Sequence, residues 1–241
     1  MSIKRGVKFI NDEGILLVFP INNRKEPNSL WQCLYPRSKM RWEWDESGDN
    51  RLAGLWHLRE QLSRSGKVVY VKWYQGRATF FSRDAFVRFL SAQRSFERRG
   101  SIENPEAAAI IEVLEMDSPL STKQIKEAVD LQGRSLETQY NRAMKELWSN
   151  GLIVAFGEVE DSSFPSLAVG ATKNLFEDLW QEAKRHKPDE SLEWLRRRLG
   201  EENLFFKYLL KNSRRPIAEP DELLIADRPT RREMHDPRFD F

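Results

Sequence analysis

The sequence predicts an α+β fold: a small mixed α/β N-terminal part, then three helical stretches with two strands behind them, then closing helices. Three patterns predict it. Between 104 and 170, apolar residues recur at helical spacing three times and give way to two strand-like runs. Between 67 and 81, bulky side chains alternate on either side of Gln75-Gly76. Beyond 171, leucines and aromatics return every three or four residues. The chain is thereby divided into 1–100, 101–170, 171–212 and an extended charged tail at 213–241.

In the N-terminal part, Gly14 to Phe19 is an apolar run closed by Pro20, and Asn28-Ser29 can cap a short helix through Trp31 and Leu34. Leu52, Leu55, Trp56 and Leu62 mark a second helix. Lys67 to Tyr74 and Arg77 to Phe81 form a hairpin, with glycine where a positive φ is needed. Ser82 opens a helix whose apolar face is Phe86, Phe89 and Leu90. Arg94, Arg98 and Arg99 near its end complement the macrodipole or hold phosphate.

The middle part begins with a helix carrying Ala107, Ile110, Ile111 and Leu114, which stops near Asp117-Ser118-Pro119 because proline donates no interior hydrogen bond. The next helix has Ser121 as N-cap, Gln124 three residues on for a capping box, and Leu120 placed to staple to Ile125. A turn at Leu131-Gln132-Gly133-Arg134 leads to a third helix from Ser135. That helix buries Leu136, Tyr140, Ala143, Met144 and Leu147 and ends at Asn150-Gly151. Leu152 to Val159 and Ser166 to Val169 read as strands, and residues 160–165 between them suit a wing tip. This order is that of a winged helix-turn-helix. The closing part predicts one helix over Thr172 to Lys184, another lined by Leu192, Leu195 and Leu199, and a last lined by Leu204, Phe205, Tyr208 and Leu209.

Composition bounds the function. With 241 residues, 40% hydrophobic and 32% charged, the chain is long enough for real cores and reads as soluble. One cysteine, Cys33, excludes an intramolecular disulfide framework and suits a reducing cytoplasm. His57, His186 and His235 are scattered, so the sequence predicts no metal and no cofactor. No apolar run has the length of a secretory signal or a membrane span, which predicts no membrane partner.

Charge is unevenly spread. Residues 101–170 carry five Lys and Arg against twelve Asp and Glu, a net of −7, whereas residues 1–100 carry nineteen against ten, a net of +9. Phosphate neutralisation supplies most non-specific DNA affinity, so a DNA-binding reading must use the N-terminal part or a local basic face on the third helix. Arg134, Gln139, Arg142 and Lys145 are the candidates on that helix and its approach, opposed by Glu137 and Glu146. A solvated helix with internal charge pairs explains the same residues. On the hairpin, Lys72, Trp73, Tyr74 and Arg77 suit a platform that grips phosphate and stacks on a base. Cross-strand aromatic packing is the competing reading. Arg196-Arg197-Arg198 reads as a solvated helix end. The acidic middle part equally suits a basic protein partner.

Pro27-Asn28-Ser29-Leu30-Trp31, Tyr70-Val71-Lys72 and Gly76-Arg77-Ala78-Thr79-Phe80-Phe81-Ser82, followed by the winged-helix pattern, resemble the AlkZ-related winged-helix proteins, relatives of bacterial DNA glycosylases. The resemblance covers residues 7–210 and implies a bacterial, DNA-associated protein whose partner is duplex DNA, with a link to DNA repair. Glycosylases of the AlkZ type are similar to one another in a Gln-x-Gln motif. Gln32, Gln61, Gln75 and Gln93 form no such pair, so the resemblance does not carry enzymatic activity over. The one candidate for glycosidic chemistry is Asp45 within Trp42-Glu43-Trp44-Asp45, where a carboxylate sits between aromatic faces. A strand that packs both tryptophans and solvates Glu43 and Asp45 fits the same four residues. The expectation is a DNA-binding protein without its own catalysis. The alternatives are a glycosylase for alkylated or crosslinked bases and a protein-interaction scaffold.

Overall fold

Gly14, at φ 84°, ends the first helix, α1 (Ile3–Glu13), and turns the chain into β1 (Ile15–Leu17). The computed structural model describes residues 2–41, 50–100, 102–159 and 166–213, and in these it holds twelve α-helices and one six-stranded antiparallel sheet. Helix α1 carries Ile3, Val7 and Ile10 toward the core, and its buried Gly6 lets it close on Leu62. The sequence reading did not anticipate it, because its remaining positions are mostly polar and only contact with a distant helix gives the apolar stripe its meaning.

Ser29 caps α2 (Leu30–Leu34) by accepting from the Gln32 backbone, and α3 (Asn50–Arg64) follows. The hairpin forms as β2 (Val68–Lys72) and β3 (Ala78–Ser82), joined through a 3-10 turn at Tyr74–Gly76 with Gln75 at φ 53° and Gly76 at φ 73°. Ser82 caps α4 (Arg83–Ala92), which ends before Arg94. Arg94 adopts φ 52° and starts a separate helix, α5 (Ser95–Arg99). The expectation that Arg94, Arg98 and Arg99 close the helix begun at Ser82 is therefore corrected. Arg98 donates to the Gln93 carbonyl and Asn150 Oδ1, and Arg99 is held by Glu115, so neither is reserved for phosphate.

Next come α6 (Pro105–Met116), β4 (Leu120–Ser121), α7 (Thr122–Ala128), α8 (Glu137–Ser149), β5 (Ile153–Val159) and β6 (Ser166–Ala171). Ala107, Ile110, Ile111 and Leu114 are the buried face of α6. The capping box at Ser121 and Gln124 is made in both directions, at 3.1 and 2.8 Å. Helix α8 starts at Glu137, two residues later than expected, and buries Trp148 besides Tyr140, Ala143, Met144 and Leu147. Residues 160–165 and 214–241 lie outside the described residues.

The helix expected over Thr172 to Lys184 is two, α9 (Thr172–Leu175) and α10 (Glu177–Lys184), because Phe176 turns to φ −133°, ψ 53° and drops its ring into the core. Helices α11 (Pro188–Leu199) and α12 (Leu204–Ser213) complete the chain.

The sheet order is β1-β3-β2-β5-β6-β4. The N-terminal hairpin and the β5/β6 pair are thus parts of one sheet, joined where Tyr70 faces Ala155. Helix α3 laces that junction. Buried Arg59 pairs with Glu158 beyond it and lies 4.1 Å over the Trp56 ring, Ser63 Oγ accepts from the Gly157 N–H at 3.0 Å, and Arg64 donates to the Glu158 carbonyl at 2.9 Å. On the other face, Trp73 is 1% exposed. Its ring packs against Phe81, Phe89 and Tyr208 at 5.2 Å and Phe205 at 6.3 Å.

Gly151 closes α8 at φ 64°, and a Cβ there would lie 2.6 Å from Phe89 Cε1 in this aromatic core. Gly151→Ala is expected to lower the unfolding free energy by about 2–4 kcal/mol, since backbone strain and overpacking add. Gly133→Ala, at φ 90° in open space, is expected to cost about 1 kcal/mol from strain alone. Urea unfolding followed by tryptophan fluorescence checks both; equal losses would mean that the close approach to Phe89 contributes nothing.

Candidate nucleic-acid interface

Helix α8 presents two polar stripes, and each lines a different depression. Gln139, Arg142 and Glu146, spaced by three and four residues, line a cleft of about 490 Å³ with Glu103, Asn104, Pro105 and Glu106 from the start of α6. Asn141, Lys145 and Ser149, at four-residue steps, line a second groove of about 270 Å³. Its other lining includes Lys72 and Gly76 on the hairpin, Tyr208 on α12, and Tyr140, Met144 and Trp148 of α8.

The two depressions have opposite electrostatics. Three glutamates surround one arginine in the cleft, and burial pushes the Glu146 carboxyl up, with Arg142 pulling it down and Glu103 raising it again. In the groove, Lys72 and Lys145 both line the wall, and no carboxylate lines it among the described residues. Lys145 is exposed and takes part in no ion pair among the described residues. Lys72 is half-buried. Burial, with the Arg59 guanidinium nearby, lowers its ammonium from 10.5 to about 8.

The sequence-predicted residues are therefore split. Lys72 and Lys145 line the same groove, although 73 positions separate them in sequence. Gln139 and Arg142 face the acidic cleft instead. Arg134 is exposed in the turn before α8, and Arg77 is half-buried just after the hairpin turn, near Tyr74. Trp73 is corrected from stacking platform to core: with its ring enclosed by four aromatics it offers no face to a base. The candidate Asp45, with Trp42, Glu43 and Trp44, lies outside the described residues. Asn141 and Tyr208 were missed. The four-residue step from Asn141 to Lys145 was visible in the sequence, but nothing local places Tyr208 beside the hairpin. Arg196 and Arg197 are engaged by Glu193, and Arg198 donates to the Asn11 and Asp12 carbonyls at the end of α1.

The family model described as AlkZ related matches residues 2–203. The chain belongs to the AlkZ-related family. No curated protein and no solved structure matches it significantly. The matched span contains every element that lines the groove except α12, which supplies Tyr208. In this AlkZ-related chain no helix among the described residues is long and apolar enough to cross a membrane, and no group of three metal-ligating side chains is present among them. Cys33, half-buried on α2, is pushed up to about 11 by burial and by Glu13, so the thiol is protonated at neutral pH.

Lys72 gives the groove a pH signature. Its folded-state pKa lies below the unfolded value, so the folded protein binds fewer protons between pH 8 and 10.5, and stability rises with pH across that window. The cost of burying the ammonium is fully present below pH 8. Stability is expected to increase by on the order of 1–2 kcal/mol between pH 8 and 9.5. Lys72→Met is expected to flatten that rise. Urea unfolding at half-unit pH steps measures it, and a wild-type curve that is flat or falls over this range contradicts the assignment.

Proposed function

We propose that this AlkZ-related chain binds duplex DNA without catalysing a reaction on it, in a DNA-repair setting, and that residues 101–170 act as a winged helix-turn-helix. The element order α6, β4, α7, α8, β5, β6, with β4 and β5 both paired to β6, supports the winged-helix reading. The observation that carries the DNA reading is the groove beside α8, which Lys72 and Lys145 both line and whose lining includes no carboxylate among the described residues. Family membership agrees with it. Absence of the Gln-x-Gln pair supports the non-catalytic part. In this reading α8 contacts the backbone from its Asn141–Lys145 stripe, and Arg134 in the preceding turn extends the contact. Gln139 and Arg142 contribute less than their place on the helix suggests.

The acidic cleft favours a second role for the same helix. Glu103, Glu106 and Glu146 are arranged to meet a basic protein surface, so one flank of α8 is suited to DNA and the other to a protein partner.

Lys145→Glu is expected to weaken duplex binding about tenfold, uniformly across sequences, with a smaller effect from Arg142→Glu. Fluorescence anisotropy on a labelled duplex at several salt concentrations reads both. A larger loss from Arg142→Glu would move the interface to the acidic side. Incubation of excess protein with duplexes carrying alkylated purines is expected to yield no alkali-labile sites over hours. Base release abolished by Asp45→Asn would instead establish a glycosylase.

A further inference from the structure

Many basic side chains of this protein are held in ion pairs. Arg59, Arg83, Arg99, Lys126, Arg196 and Arg197 each pair with a carboxylate, and several shorter-range pairs run along single helices. The loops around α2 gather unpaired bases most densely in sequence. Residues 21–41 carry five basic side chains against the single acid Glu26, a net of +4 within the +9 of the first hundred residues. Arg24, Lys25, Arg37 and Lys39 are all exposed, and none of them pairs with a carboxylate among the described residues.

The four are also held in place. Asn23 makes a double bridge between the two loops, its Nδ2 donating to the Met40 carbonyl at 2.9 Å and its Oδ1 accepting from the Met40 N–H at 2.6 Å. It does so at φ 54°, a conformation asparagine tolerates better than most residues. Arg24 and Lys39 each sit one residue from that bridge, on opposite strands of it. The first loop is fixed from beneath by Gln32, whose Nε2 donates to the carbonyls of Arg24 and Lys25 at 2.8 and 3.2 Å. The second is fixed by fully buried Trp31, whose Nε1 donates to the Ser38 carbonyl at 2.9 Å, and by Arg51, which donates to Ser38 Oγ at 2.6 Å. Side-chain bonds spent on carbonyls leave the basic heads outside and their backbone ordered.

From this we infer that the paired loops at 21–28 and 35–41 are a preorganised phosphate clamp, distinct from the α8 groove, that grips the sugar-phosphate backbone of nucleic acid through Arg24, Lys25, Arg37 and Lys39. The inference rests on the DNA-binding reading above and places a second part of the contact. A regular polyanion suits the site because four unpaired cations with ordered backbones gain most from evenly repeated charges that release counterions. Apolar side chains are sparse between them, so the surface lacks what insertion into a lipid layer requires.

The test compares full-length wild type with Arg24→Gln/Lys25→Gln/Arg37→Gln/Lys39→Gln on a 20-base-pair duplex, plotting log affinity against log salt. Each lost phosphate contact lowers the magnitude of that slope by about 0.9, so a decrease of about 2–4 is expected. All four positions are exposed, and an unchanged urea midpoint establishes that the variant is folded. Asn23→Gly keeps the backbone conformation and every charge but removes both bonds to Met40, and is expected to weaken binding several-fold. An unchanged slope in the quadruple variant while wild type binds overturns the clamp and leaves the α8 reading standing. Absence of duplex binding by wild type overturns both. Equal, four-residue-dependent binding of a polyglutamate peptide assigns the surface to an acidic protein and overturns the nucleic-acid clamp.

Discussion

The geometry of this protein depends on the place where Tyr70 of β2 faces Ala155 of β5. On one side of it lies a three-stranded sheet of β1, β3 and β2; on the other, β5, β6 and β4. Either half alone would end in an apolar strand edge, Val68 to Val71 or Ile153 to Ala155, with unpaired backbone groups. Few backbone bonds join the halves, so side chains from α3 reinforce the seam. Arg59 and Glu158 lose hydration to do this, and the aromatic face of Trp56 and the hydroxyl of Tyr70 compensate the guanidinium. The bulge at Gly157, φ 79°, sets β5 against α3 so closely that a Cβ there would meet Arg64 at 2.7 Å. Across this seam the hairpin and α8 line one groove, which holds both Lys72 and Lys145.

Local signals in the sequence were reliable where a segment's own side chains close its hydrogen bonds. Ser121 and Gln124 announced the start of α7, Ser29 and Ser82 capped the helices expected of them, and the glycine after Gln75 turned the hairpin. Signals failed where a distant element decides. Trp73 was readable as an exposed aromatic on a hairpin until α12, more than 130 residues later, laid Phe205 and Tyr208 against it. Gly6 lowers helix propensity in α1, yet it is what lets α1 approach Leu62. The break at Phe176 follows from the space its ring fills, not from a helix-breaking residue. Of the candidate site, the basic character of the hairpin and the two cations of α8, Arg142 and Lys145, were legible. Which side of α8 faced which neighbours was not, because the glutamates of α6 and the lysine of β2 reach the helix only through the tertiary fold.

Net charge by segment was a coarse guide for the same reason. The −7 of residues 101–170 argues against DNA only if those charges are spread evenly. They are not: three carboxylates gather where α6 meets α8, and others are consumed in pairs such as Glu137 with Lys126 and Glu115 with Arg99. A segment can be acidic on average and still present an uncompensated cation at one edge. In the N-terminal part the reverse holds, since Arg59 and Arg83 are matched and the free positive charge is concentrated around α2.

The opposite signs on the two flanks of α8 have a kinetic meaning. In the proposed DNA-binding reading, a polyanion drifting toward this helix is drawn in along the Lys145 side and pushed back along the Glu146 side, so the field selects an approach direction before any contact is made. Encounters in the wrong orientation are rejected at a distance of about one Debye length, ~8 Å at physiological ionic strength. Added salt then acts first on how often molecules arrive correctly turned, and only afterwards on how long they stay.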